Sequence, residues 1–314
     1  MLTRRFFIGG AAATSVLGGC KALSGSSERF DESLSVILSD LHVGALPKYE
    51  YTRAALERTV DEILAMRPLP RHVICLGDIA LSFGCDADYE VSKPQLQRLV
   101  DAGIDLKMTM GNHDRRSAFL KCWPEYEKTS PVLGRIVSVI PLRDADFILL
   151  DALKGTDDRA QNDYGPVEGT IDPAQLEWLE DWMSRSTRPF FVATHQGVDL
   201  YLKEGKFANR VYAHKNCMGW IYGHDHEWLP NYRICNWGSN DTLPVLAVPS
   251  NGLWGDIGYV LFRTYPDRAV AELVQRDFYF PGPVSADKRL RTWDSRLASH
   301  AGARHVFTFP RDAK

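Results

Sequence analysis

The chain of 314 residues is 45% hydrophobic and 25% charged, the composition of an ordinary globular protein with apolar material for a large core, in one large domain or two small ones. Its formal net charge is −3, so no overall field draws it onto nucleic acid or acidic lipid. Binding of a polyanion would need a local patch or a metal ion.

The first residues stand apart from the fold. Thr3-Arg4-Arg5-Phe6-Phe7-Ile8 is a twin-arginine opening, followed by a small and apolar run to Gly19 and then Cys20. It resembles a bacterial Tat export signal, and Leu17-Gly18-Gly19-Cys20 resembles a lipobox, in which cleavage leaves a lipid-modified Cys20. A membrane span is disfavoured, because four glycines interrupt the run between Arg5 and Lys21 and it falls short of the roughly 20 residues a span needs. The expected organisation is a signal segment over 1–19, a Ser-, Gly- and charge-rich tether over 20–33, a domain over 34–283 and a tail over 284–314. The expected location is periplasmic or cell-surface, anchored to the membrane through Cys20. The signal segment holds two arginines and no acid, so its removal takes the charge from −3 to −5.

Leu34 to Ser39 is a β-rich run that leads into Asp40-Leu41-His42. Alternate residues of an extended chain share a face, so Asp40 and His42 point the same way. Leu56, Val60, Ile63 and Leu64 form the apolar stripe of a helix within 49–66, which Pro68 and Pro70 end. His72 to Leu76 is a second buried strand and leads into Gly77-Asp78. A helix over 94–102, opened by Pro94 and stopped by Gly103, precedes a third strand and then Gly111-Asn112-His113-Asp114. This βαβαβ order predicts a parallel sheet with helical crossovers.

Residues 115–135 are poorly patterned, and Ile136–Ile140 and Phe147–Leu150 are further strands. Asp172-Pro173-Ala174-Gln175 starts a helix, with a capping acid, Pro at the first position and Gln at the third. Phe190–Ala193 is a strand ended by Thr194-His195-Gln196, and Gly219–Tyr222 is one ended by Gly223-His224-Asp225-His226. Val245–Val248, Tyr259–Phe262 and Ala269–Val274 read as strands of a second sheet. The tail carries seven Lys and Arg against three Asp and a helix near 290–298, and reads as a solvated, surface-packed segment.

Five blocks therefore each follow an apolar run: Asp40-x-His42, Gly77-Asp78, Gly111-Asn112-His113-Asp114, His195 and Gly223-His224-x-His226. Each is weak alone, since Gly-Asn is common turn chemistry and His-x-His occurs in surface loops; all five in order are a strong signal. Two divalent metals roughly 3.5–4 Å apart need a bridging carboxylate with mixed oxygen and nitrogen ligands, and this donor set suits Mn, Fe or Zn better than Mg or Ca.

From about Ser39 to His226 the chain resembles a calcineurin-like metallophosphoesterase. The resemblance implies a four-layer α/β/β/α sandwich of two mixed sheets, with a dimetal site at the strands' carboxyl edge. It implies Asp40, His42 and His226 on one metal, Asn112, His195 and His224 on the other, and Asp78 as the bridge. It assigns His113 to the phosphoryl oxygen and the leaving group, and a metal-bridging hydroxide to the attack on phosphorus. One departure is Leu81, where several branches carry an Asp that orients the histidine or a Tyr that ligates ferric iron. A ferric–tyrosinate centre is thereby disfavoured, and Asp114 is the candidate to orient His113.

The expected function is hydrolysis of a phosphomonoester or phosphodiester, with a small-molecule, lipid or nucleotide substrate and no specific nucleic acid. The alternative is a cell-surface binding lipoprotein that keeps the fold without catalysis. Specificity is expected in loops 79–93, 153–170 and 197–216. Trp228, Trp237 and Trp254 either rim the pocket or pack the sheets. The cysteines show no metal-site spacing, and disulfides 85–122 and 217–235 are permitted.

Overall fold

The computed structural model describes residues 29–81, 83–155, 167–197, 210–235, 242–279, 300 and 302–310. The signal segment, Cys20, most of the tether, Trp237 and the helix expected near 290–298 lie outside these residues. Among the described residues, no helix is long and apolar enough to cross a membrane.

Two six-stranded sheets form the centre. In the first, β1 (Phe30–Leu38), β2 (Leu69–Cys75) and β3 (Asp105–Met108) run parallel. Antiparallel β10 (Gly255–Tyr265), β11 (Arg268–Tyr279) and β12 (Arg304–Thr308) extend that sheet beyond β1. In the second, β5 (Asp146–Leu149), β6 (Phe190–Thr194), β7 (Cys217–Tyr222) and β9 (Thr242–Ala247) are parallel. Antiparallel β4 (Ser138–Pro141) and β8 (Leu229–Cys235) close its edges.

The apolar runs are continuous because both faces of the central strands are covered. In β1, Val36 and Leu38 pack against Leu56, Val60 and Ile63 of α1 (Glu50–Ala65) and Leu96 and Leu99 of α2 (Asp86–Asp101). Ile37, between them in sequence, faces the other way into the layer between the sheets, among Ile74, Phe147, Phe191 and Phe262. In β6, Phe191 and Ala193 enter that same layer, while Phe190 and Val192 meet Leu179 and Met183 of α5 (Pro173–Arg185). The result is the α/β/β/α sandwich. Asp172 caps α5 by accepting from the Gln175 backbone N–H at 3.1 Å, worth about 1 kcal/mol.

Several elements differ from the expectations. Tyr259–Phe262 and Ala269–Val274 lie in the first sheet, because β10 pairs with β1; only Val245–Ala247 joins the second. Apolar content alone does not say which sheet a strand enters. The helix expected from Pro94 begins at Asp86, and Pro94 lies inside it. Tyr89, Ser92, Leu96 and Leu99 form one buried stripe along the whole helix, and that packing outweighs the lost hydrogen bond. The poorly patterned stretch holds two short helices, α3 (Arg116–Cys122) and α4 (Glu125–Thr129). Strand β1 opens at Phe30, inside the expected tether, because Phe30 and Asp31 pair with Leu69 and Pro70. In the expected tail, Arg304–Thr308 pairs with β11 and buries Phe307 between the sheets. Cys85 and Cys122 are free thiols, so the 85–122 disulfide is not formed. The 217–235 pairing involves Cys235, whose side chain lies outside the description.

Candidate metal centre

The parallel strands of both sheets deliver their carboxyl ends to one edge, where an open α/β sheet places its chemistry. Past β1 come Asp40 and His42, past β2 Asp78, past β3 Asn112 and His113, past β6 His195, and past β7 His224 and His226. The strand ends are tied together directly. Within the second sheet the Gly223 N–H donates to the His195 carbonyl at 3.0 Å, and across to the end of β1 the His224 N–H donates to Asp40 Oδ2 at 3.0 Å and the Asn251 N–H to the Ser39 carbonyl at 2.9 Å.

Glycines permit this closeness. A Cβ on Gly111 would collide with the Asp78 carboxylate, and one on Gly223 with Ser39 and Asp40. Asp40, His42, Asp78, His224 and His226 all sit in the left-handed region, with φ between 46° and 66°. Each such conformation costs about 1–3 kcal/mol, and the clustering of five marks a site whose geometry the surrounding fold imposes.

Four imidazoles are oriented in one way. Nδ1 of His226 donates to the Trp254 carbonyl at 2.8 Å, and Nδ1 of His195 to that of Leu76 at 3.0 Å. Nδ1 of His113 and of His42 both reach the Leu81 carbonyl, at 2.8 and 3.1 Å. In a neutral imidazole this leaves the lone pair on Nε2, turned inward. Those lone pairs meet other acceptors. His226 Nε2 lies 3.0 Å from Asp40 Oδ1 and 3.2 Å from His42 Nε2, and His195 Nε2 lies 3.1 Å from Asp78 Oδ2 and 3.2 Å from Asn112 Oδ1. His224 presents Nδ1 instead, 2.9 Å from Asn112 Oδ1.

Asp40 Oδ1 is buried with no hydrogen-bond donor, while its Oδ2 takes donors from Ser39 and His224. Asp78 divides its oxygens similarly. Oδ1 accepts the His113 N–H at 2.7 Å, and Oδ2 lies between His195 at 3.1 Å and His42 at 3.7 Å. Acceptors converging on acceptors in a buried space repel unless protons or cations lie among them, and with the imidazoles neutral the residues fit a pair of metal ions. Asp40, His42 and His226 group on one side, Asp78, His195 and His224 on the other, and Asn112 joins the second group.

The field of the carboxylates appears in the protonation equilibria. Burial alone would lower His195, but Asp78 and Asp40 outweigh it and hold the imidazole up at about 9. Burial would raise Asp40 and Asp78; the histidine charges, led by His226 for Asp40 and by His195 for Asp78, keep both below the usual carboxylate range. His224 is pushed down to about 4 by burial and by His195, and His113 is lowered by burial.

Asp114, expected to orient His113, accepts the N–H of Gly111 at 2.8 Å, of Ile79 and Ala80 at 3.1 Å, and the Tyr89 hydroxyl at 2.8 Å. These bonds join the loop after β3 to the loop after β2. At His113 Nδ1 the acceptor is the Leu81 carbonyl, a main-chain group that side-chain motifs do not reveal. Asp88, unremarked in the sequence, supports it by accepting from the Leu81 N–H at 3.3 Å and the Ala45 N–H at 2.8 Å. Trp228 is buried between the sheets, while Trp254 stacks on His226 with centroids 4.2 Å apart and lines the cleft. His72, midway along β2 and away from its carboxyl end, bonds Asp105 at 3.1 Å.

The cleft over the centre is about 360 Å³ and is lined by His42, Asp78, His113, His224 and His226 together with Asp225, Glu227, Leu253 and Trp254. No curated protein sequence matches the chain significantly. Among solved structures it is similar to a dimetal phosphatase from Danio rerio, at 16% identity and a TM-score of 0.59, covering 78% of this chain and 97% of that one. It also aligns with Vacuolar Protein Sorting 29 from Cryptosporidium parvum, at 11% identity and a TM-score of 0.40, over 78% of this chain and 91% of that one. The family described as calcineurin-like phosphoesterase matches residues 35–228, well over half of the chain and every strand end that feeds the site. The chain belongs to the calcineurin-like phosphoesterase family.

Proposed function

We propose that the protein hydrolyses a phosphomonoester or phosphodiester at a binuclear centre held by Asp40, His42, Asp78, Asn112, His195, His224 and His226. The observation that carries this reading is the convergence of buried acceptors, above all Asp40 Oδ1 against His226 Nε2, which a cation pair relieves. The mixed carboxylate, amide and imidazole donors favour Mn, Fe or Zn. When bound, two such cations lower the pKa of water and offset charge on phosphoryl oxygens.

The chain's own residues do the rest. Asp78 presents Oδ2 to both ligand groups, and the His113 N–H at Oδ1 holds it there. His113 keeps Nδ1–H on the Leu81 carbonyl and offers Nε2 to the cleft, 3.9 Å from Asp78 Oδ2. From there it holds a phosphoryl oxygen and passes a proton to the leaving alkoxide. Burial lowers His113, so its cationic form depends on the charge that an anionic ester brings into the cleft.

Metal analysis of the purified protein, combined with assays on aryl phosphomonoesters and diesters, tests the reading. Two metals per chain with turnover supports it; two metals with no turnover on any phosphate ester overturns it. The twin-arginine and Cys20 motifs support a further part of the proposal, Tat export and lipid anchoring at the periplasmic or cell surface. Membrane fractionation of the wild type beside Cys20→Ala tests that part.

A further inference from the structure

The segment between β9 and β10 crosses from the second sheet to the first at the edge where the proposed ligands gather. It leaves the second sheet with the Val248 N–H on the Tyr222 carbonyl at 2.9 Å and enters the first at Asp256, which pairs with Phe278 of β11. Ser250, Asn251 and Asp256, none of which belongs to the five sequence blocks, are fully buried on it.

Each of the three holds main chain at or beside a proposed ligand. The Ser250 hydroxyl donates to the Asp40 carbonyl at 3.0 Å and accepts the Leu253 N–H at 3.2 Å, while the Asn251 N–H takes the adjacent Ser39 carbonyl. The Asp256 N–H donates to the His226 carbonyl at 2.8 Å, and its carboxylate accepts the Trp228 N–H at 2.8 Å and the Gln275 amide at 3.0 Å. Between them the Trp254 carbonyl fixes the His226 ring. Gly255 permits the approach, since a Cβ there would lie 2.2 Å from the His226 carbonyl oxygen. Asp40 and His226 have φ of 54° and 55°, a region that a residue with a side chain leaves unless its main chain is held. His195, in the other ligand group, is oriented instead by the Leu76 carbonyl just past β2.

We propose that Ser250 and Asp256 are positioning residues that hold the main chain of Asp40 and His226 and so set the metal affinity of one position of the pair, the one formed by Asp40, His42 and His226. The inference rests on the binuclear reading. Asp40 Oδ1 and His226 Nε2 lie 3.0 Å apart, so a main-chain shift at either residue displaces one of two donors that face the same cation. Loss of a group that orients a metal ligand costs roughly 10–100-fold in metal affinity.

The test titrates the metal-free full chain with Mn²⁺, followed by calorimetry and by the electron paramagnetic resonance of the free ion, in the wild type and in two backgrounds. His195→Ala leaves the position of Asp40, His42 and His226 complete, and His226→Ala leaves the other. Adding Ser250→Ala is expected to weaken Mn²⁺ binding about tenfold or more in the first background and less than about threefold in the second. Asp256→Ala is an independent second variant with the same expected pattern. Asp256→Asn, which keeps an acceptor for the Trp228 N–H, is expected to recover most of the affinity; circular dichroism of each metal-free chain checks its fold. Equal losses in both backgrounds, or none in either, overturn the positioning role and leave the binuclear reading standing. A wild type that takes up no Mn²⁺ overturns both.

Discussion

The carbonyl oxygen of Leu81 accepts Nδ1–H of His113 at 2.8 Å and also receives Nδ1 of His42 at 3.1 Å. One main-chain acceptor thus sets the tautomer of both the proposed proton donor and a proposed metal-ligand histidine. Its own position is held by Asp88, which takes the Leu81 and Ala45 N–H groups.

Replacing Asp88 tests that support. In Asp88→Ala the Ala45 N–H loses its acceptor while the Leu81 N–H keeps only the Val43 carbonyl at 3.1 Å, and denaturant unfolding is expected to show a loss of about 1–2 kcal/mol. Because His113 is then less firmly aimed, kcat is expected to fall by about tenfold with KM changing less. Asp88→Asn, which retains one acceptor oxygen, is expected to recover part of the rate. Wild-type kcat in both variants at full metal content removes Asp88 from the positioning network.

His113→Ala is expected to keep both metals, since the acceptor cluster that fits them does not need its side chain. Its effect should depend on the leaving group. Alkyl phosphate esters, whose alkoxide needs a proton, are expected to lose about 10²- to 10⁴-fold in rate, and nitrophenyl esters much less. A uniform loss across leaving groups would assign His113 to binding alone.

Metal uptake should release a proton. In the metal-free protein His195 is held up at about 9 by Asp78 and Asp40 against the effect of burial, so it is cationic at pH 7. A metal ligand must be neutral, so calorimetry in buffers of different ionisation enthalpy is expected to show release of at least about one proton at pH 7. Apparent metal affinity should rise with pH and flatten near 9. Release that does not diminish between pH 7 and 10 would contradict the assignment.

Asp105 gives a pH test away from the centre. Burial acts to raise it, but the hydrogen bond from His72 and the Lys107 ammonium hold it down at about 2. A depressed carboxylate stabilises the fold above its unfolded pKa of about 3.9, and that contribution is lost as pH falls through 2. Two pKa units correspond to about 2.7 kcal/mol, and partial exposure reduces this to about 1 kcal/mol. Asp105→Asn is therefore expected to be less stable than wild type by about 1 kcal/mol at pH 7, with the difference vanishing near pH 2.

The sequence by itself determined the layered α/β class and the identities of the chemical groups. Runs such as Val73-Ile74-Cys75-Leu76 are apolar on both faces, and each places a polar block at its carboxyl end. Strand termination and ligand placement are local events, so Asp40-x-His42 and His224-x-His226 are legible one block at a time. What only the tertiary structure decided depends on contacts distant in sequence. Tyr259–Phe262 pairs with β1 rather than with the second sheet, and the choice lies in backbone hydrogen bonds that any apolar strand offers. The same holds at the centre. Asp114 is a conspicuous acid beside His113, but folding places it against the backbone of Gly111, Ile79 and Ala80, where it accepts their N–H groups. The acceptor that orients His113 is the carbonyl of Leu81, a group every residue carries, so its role follows from where the loop after β2 comes to rest.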